Sequence, residues 1–137
     1  MRLYNVLTPA MALAASLMLA GCQDSMTEVS GTVLADGQPL EEGEIIFEQA
    51  DQSTGPAAAK VTAGKYALRM TPGSKKVRIT ASRPTSKSDP VMGTAAREMM
   101  IPAEFNESSR LTVEIRPGRQ TGVDFQVTTI PPAPGPK

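Results

Sequence analysis

Within residues 76–81 apolar and polar side chains alternate strictly: Val77, Ile79 and Ala81 fall on one side, Lys76, Arg78 and Thr80 on the other. A helix would scatter these residues around its circumference, whereas a strand, with its period of two, sorts them onto two faces. The same period recurs along the chain. Val29, Gly31 and Val33 share a side, as do Ile45 and Phe47; Tyr66, Leu68 and Met70; Leu111, Val113 and Ile115; and Val123, Phe125 and Val127. A weaker run covers residues 57–61. Between the runs stand Asp36-Gly37, Ala63-Gly64, Pro72-Gly73 and Pro117-Gly118, pairs that reverse a chain cheaply. Seven short strands, each with one polar face, predict an all-β fold: a single seven-stranded Greek-key-type β-sandwich over residues 28–129.

Residues 84–100 break this rhythm with Pro84, Ser86, Ser88, Asp89, Pro90 and Gly93. They predict an exposed loop with a helical turn over 95–100, longer than the usual connection and therefore a candidate contact region. Met92, Met99 and Met100 would suit adaptable contacts with a protein; the plainer expectation is that Met99 and Ile101 plug the end of the sandwich. Residues 130–137 hold four Pro and predict an extended, disordered tail.

The first residues follow a different logic. Arg2 is followed by a mostly apolar stretch over residues 6–20, too short to cross a hydrocarbon core of about 30 Å as a permanent helix. It matches the apolar segment of an export signal. The stretch ends in Leu19-Ala20-Gly21-Cys22, which resembles the lipobox of bacterial lipoproteins. That resemblance implies a signal peptide over residues 1–21, cleavage between Gly21 and Cys22, and a diacylglyceryl group with palmitate-type chains on the Cys22 thiol. Residues 22–27 would be the lipidated tether, fastening the domain to a membrane of the cell envelope. Gln23, standing where Asp would hold such a protein in the inner membrane, favours the periplasmic side of the outer membrane. Cys22 is the only Cys in the chain, so an intramolecular disulfide is impossible.

Composition excludes several function classes. The 14 basic and 14 acidic residues balance, which leaves no basic stripe for nucleic acid. There is no His, so Ser-His-Asp and Cys-His arrangements cannot form, and zinc lacks its usual ligands. Calcium could draw on Glu41, Glu42 and Glu44, or on Asp51, but these read first as solvated turn carboxylates; no metal and no cofactor are implied. Ser74-Lys75 and Ser86-Lys87 are neighbours along the chain, which does not hold a nucleophile against its base. A basic run, Lys75, Lys76, Arg78, Arg83 and Lys87, is a possible contact surface for anionic head groups or an acidic polysaccharide. The plainer expectation is a solvated face whose charges discourage edge pairing. Tyr66 and Phe125 read as core.

The order of the motifs adds a family likeness. Val29-Ser30-Gly31-Thr32-Val33, Asp36-Gly37-Gln38-Pro39-Leu40, Gly43 and Ile45-Ile46-Phe47 resemble the opening of carboxypeptidase-regulatory-like and transthyretin-like modules. Gly64-Lys65-Tyr66 and Pro72-Gly73-Ser74-Lys75-Lys76-Val77 resemble two later turns of such modules. Ile101-Pro102-Ala103-Glu104-Phe105-Asn106, with Ser109 and Leu111-Thr112-Val113, is similar to the C-terminal half of small bacterial lipoproteins that carry one. The chain departs from the pattern at Val61-Thr62-Ala63, where acidic residues are usual, and at Lys75-Lys76, where an aromatic is. The resemblance implies a non-enzymatic structural or protein-interaction module of the envelope, with an envelope protein or polysaccharide as partner. A small-ligand or glycan-binding lipoprotein is the alternative, and a hydrolase comes last. Hydroxyisourate hydrolases share the transthyretin fold, but resemble a His-dependent site that this chain cannot build.

Overall fold

Each of the seven alternating runs contains a strand, and among the described residues four further strands join them. The computed structural model describes residues 26–88, 91 and 95–132, with residues 86–88 and 95 described by their backbone alone. In chain order the strands are β1 (Thr27–Ala35), β2 (Gln38–Pro39), β3 (Glu42–Gln49), β4 (Ala57–Thr62), β5 (Lys65–Met70), β6 (Gly73–Thr80), β7 (Ser82–Ser88), β8 (Ala95–Met99), β9 (Leu111–Ile115), β10 (Arg119–Gln120) and β11 (Phe125–Val127). A 3-10 turn, Ala103–Phe105, precedes β9.

The all-β class holds, but the strands do not number seven. Nine belong to one sheet in the order β10-β1-β5-β4-β3-β6-β9, with β2 and β11 also on β1; β7 and β8 form a separate pair. β1 is the hinge of this arrangement. It pairs antiparallel with β5 through residues 27–32, and on its other edge runs parallel to β10 and β11. β4 and β5 meet only at Thr62 and Lys65, so the sheet parts beyond that turn and curls upon itself.

The curl encloses the inward residues that the alternation picks out. Val29, Val33, Ile45, Phe47, Val61, Tyr66, Met70, Val77, Ile79 and Ile115 are all buried. Phe47 on β3 faces Tyr66 on β5 at 5.9 Å between ring centres and Phe125 on β11 at 6.3 Å. Burying a side chain such as Phe47 or Ile45 contributes about 1.5–3 kcal/mol. Asp36-Gly37 and Ala63-Gly64 each place two residues at positive φ, at 51° and 79° and at 50° and 77°. That pair of values is the type I′ geometry, whose twist matches the flanking strands.

The segment expected as a loop with a helical turn is instead a hairpin. Ser82 lies opposite Met99, Arg83 opposite Glu98 and Pro84 opposite Arg97, with an irregularity before Ser88 and Ala95 meet. Residues 95–100 have helix-favouring composition, but an isolated turn carries a nucleation cost that one hydrogen bond does not repay. A strand beside β7 satisfies several backbone groups at once. Pro84 is tolerated because the pair is all edge.

Ile101 is buried and does plug the end of the core, whereas Met99 is 49% exposed. The strand ends at Met99, so alternation does not carry through to Ile101; Met100, half-buried, packs on the core in its place. The expected tail begins ordered: Ile130 N–H donates to Met100 O at 2.7 Å, and Ile130 O accepts from the Arg83 guanidinium at 2.9 Å. Residues 133–137 lie outside the described residues.

Candidate functional site

The basic run does not become one cationic patch. Lys76 and Arg78 share the outer face of β6, as their spacing requires, but β3 sets acids beside them. Glu48 lies opposite Lys76, and Glu44 stands between Thr80 on β6 and Lys60 on β4. Arg78 donates to Glu48 at 2.8 Å and to Asn106 Oδ1 at 3.2 Å. The outer face is therefore a ladder of opposite charges, each pair worth roughly 0.2–1 kcal/mol. The signal for it was present in the parity of Glu44 and Glu48; nothing in the spacing announces Asn106, which arrives from the turn before β9.

Arg83 sits apart, on the hairpin, where its guanidinium meets Glu98 at 2.6 Å. The Lys87 side chain lies outside the described residues. Lys75 has the inward parity of β6 and is 3% exposed. Its ammonium donates to Gln49 Oε1 and to Thr71 Oγ1. Burial pushes the Lys75 pKa down, and the nearby Asp51 carboxylate partly offsets this. Ser74 points out while Lys75 points in, so the two cannot serve as nucleophile and base.

Where the β7–β8 hairpin leaves the sheet, an open groove of about 570 Å³ forms, lined among others by Glu41, Glu42, Glu44, Lys60, Arg97 and Met99. Arg97 is fixed across the hairpin by hydrogen bonds to Ser82 Oγ at 2.9 Å and Ser82 O at 2.8 Å. The groove offers carboxylates, two cations and an exposed thioether. That is the equipment of a binding surface: polar groups to orient a partner and Met99 as a soft apolar foothold. Among the described residues no three His, Cys, Asp or Glu side chains gather as a metal site.

The strand directions fix where this groove lies relative to the start of β1. β1 and β6 run the same way, so Thr27, Met70, Gly73 and Ile115 gather at one end, and Ala81 and the hairpin root at the other. Thr27 is buried, and its hydroxyl donates to Arg116 O at 2.8 Å, which ties the entry of the chain to the turn after β9. Gly21 and Cys22 lie outside the described residues. Among the described residues no helix is long and apolar enough to cross a membrane.

No family model and no curated protein matches the chain. Among solved structures the chain is similar to a DUF3823 family protein from Parabacteroides merdae ATCC 43184, with 14% sequence identity and a TM-score of 0.39. The likeness covers 77% of this chain and 46% of that one, so the chain spans less than half the length of that protein.

Proposed function

We propose that the chain is a lipid-anchored, non-enzymatic interaction module of the cell envelope, held by acyl groups on Cys22 and presenting the β7–β8 hairpin to an envelope partner. The observation that carries this reading is the placement of the two ends. Residues 22–26 precede β1, and five residues reach at most about 18 Å however they are arranged. An anchor at Cys22 would hold the Thr27 end against the membrane and leave the hairpin root at the far end. There Met99 is exposed beside a groove with fixed polar groups. The chemistry agrees: the chain has no His, and acylation of its one Cys would leave neither thiol nor imidazole.

Two measurements test the reading. Intact-mass analysis of protein taken from membranes should find a diacylglyceryl group on Cys22, and Cys22→Ala should leave an unprocessed precursor. A photo-crosslinking residue at Met99 should give a discrete adduct in native membranes, while the same residue at Thr112, exposed on β9, should give none. Equal labelling from both positions, or none from Met99, would sink the interaction role.

A further inference from the structure

At the end where β1 starts and β5 and β9 finish, Arg69, Arg116 and Arg119 are exposed. Glu28 engages Arg119 at 2.8 Å. Arg69 and Arg116 have no carboxylate within salt-bridge distance among the described residues. The acids at this end are Asp51, occupied by the Ser53 amide at 3.0 Å, and Glu114, which faces outward on β9. At the opposite end Asp36, Glu41 and Glu42 are exposed, but Lys60, Lys65 and Arg97 are exposed beside them.

Between Arg69 and Arg119 lies a shallow hollow of about 500 Å³, lined by Val29, Ala67 and Leu68 as well as the two arginines and the Glu28 carboxylate that Arg119 holds. Met26, 41% exposed, stands just before β1 at the same end. Guanidinium groups grip phosphate through paired hydrogen bonds, and their methylene stems lie well on apolar surface. An anionic membrane surface attracts each such cation, within a screening length of about 8 Å at physiological salt.

From this placement we infer that the Thr27 end of the domain rests on anionic lipid head groups, with Arg69 and Arg116 on their phosphates and the strands standing away from the membrane. The inference rests on the anchor at Cys22. The short tether makes the contact intramolecular, so a weak attraction is enough to set orientation where it would not capture the domain from solution. The lipid then does more than hold the protein: it sets which surface faces the envelope.

The test uses the acylated protein, with the Cys22 modification established by intact mass. Ser74→Cys marks the Thr27 end and Gln38→Cys the far end; both positions are exposed, and acylation leaves the new thiol as the free one. Each carries a fluorophore, and the protein is reconstituted in phosphatidylcholine vesicles with or without phosphatidylglycerol, with a quencher on a fraction of the lipid head groups. Quenching at position 74 should exceed that at position 38 about threefold in the anionic vesicles. Arg69→Gln with Arg116→Gln should bring the ratio down to its value in neutral vesicles, with the thermal unfolding midpoint unchanged. Equal quenching of the two labels, or a ratio indifferent to lipid charge or to the two substitutions, overturns the inference. An unacylated Cys22 overturns the anchor itself, and is read separately in the mass spectrum.

Discussion

Val123 O occupies the space in which a side chain on Gly31 would begin: a Cβ built there stands 1.8 Å away. Val123 N–H donates to Ser30 O at 3.1 Å, and Val123 O accepts from the Tyr66 hydroxyl at 2.6 Å. The segment leading into β11 is thus laid over β1 at the one residue with nothing in the way. Gly31→Ala puts a methyl group into backbone that cannot retreat without breaking both bonds. Overpacking of this kind costs about 3 kcal/mol, which for a domain of this size lowers the unfolding midpoint by ten degrees or more, roughly. Calorimetry checks it; a shift within about two degrees would mean that the crossing is far looser than described.

The turn between β4 and β5 holds strain that a substitution can remove. Ala63 sits at a φ of 50°, where its Cβ crowds the backbone and where Asn is more at ease. Its N–H donates to Glu41 O at 2.9 Å, and the N–H of Gly64 donates to Leu40 O at 2.8 Å, so the conformation is held from outside the turn. Ala63→Asn keeps both bonds and should stabilise by about 0.5–1 kcal/mol. Gly64 offers no such freedom, since a Cβ there would lie 2.7 Å from Pro39 Cβ. Gly64→Ala should destabilise, and urea midpoints of the two variants should move in opposite directions.

What was legible in the sequence was whatever a period of two can express. The faces of β3, β5, β6 and β11 follow from Ile45 and Phe47, Tyr66 and Met70, Val77 and Ile79, and Phe125 and Val127, because burial on one face admits one phase only. The hairpin was not legible: Pro84 and the run of Ser residues disguise β7, and Ala95, Ala96, Arg97 and Glu98 have the propensity of a helix. Nor was the fate of the basic run. Lys75, Lys76 and Arg78 lie close together in sequence, yet one is buried and another is neutralised by Glu48, 30 residues earlier. Charge read along a chain does not include the partner that pairing brings from elsewhere. The crossing at Gly31 was visible only as a strand glycine, which signals a close approach without saying what approaches.

Asp36 ties the tail to the first turn, and acid should release it. Thr129 bonds the Asp36 carboxylate through both its hydroxyl and its N–H, which holds the pKa of Asp36 below the usual 3.8. A carboxylate whose pKa is lowered in the folded state stabilises the fold above the unfolded value and loses that contribution as pH falls through the folded one. The loss therefore lies below about pH 4. Asp36→Asn tolerates the φ of 51° but should flatten the acid limb of stability against pH. At neutral pH the same variant should speed hydrogen exchange at the Thr129 amide. Unchanged exchange there would show that Ile130, bonded to Met100 and Arg83, holds the tail unaided.

On the alkaline side two buried groups act in opposite directions. The Tyr66 hydroxyl is pushed well above its ordinary 10.0, first by burial and then by the Asp124 carboxylate. Raised in the folded state, it contributes stability fully below pH 10 and loses it above, because a phenolate can neither be buried cheaply nor donate to Val123 O. Lys75 has its pKa lowered by burial, so the fold is penalised while the ammonium is charged and relieved as pH rises toward 10.5. Stability should climb toward about pH 10 and fall beyond it, 10 being the ordinary tyrosine value. Lys75→Met should remove the climb and leave the fall. Tyr66→Phe should remove the fall, at a cost of about 1–2 kcal/mol at neutral pH for the unpaired Val123 carbonyl. Urea titrations from neutral to strongly alkaline pH separate the two; a fall that survives in Tyr66→Phe would place the alkaline-sensitive group elsewhere.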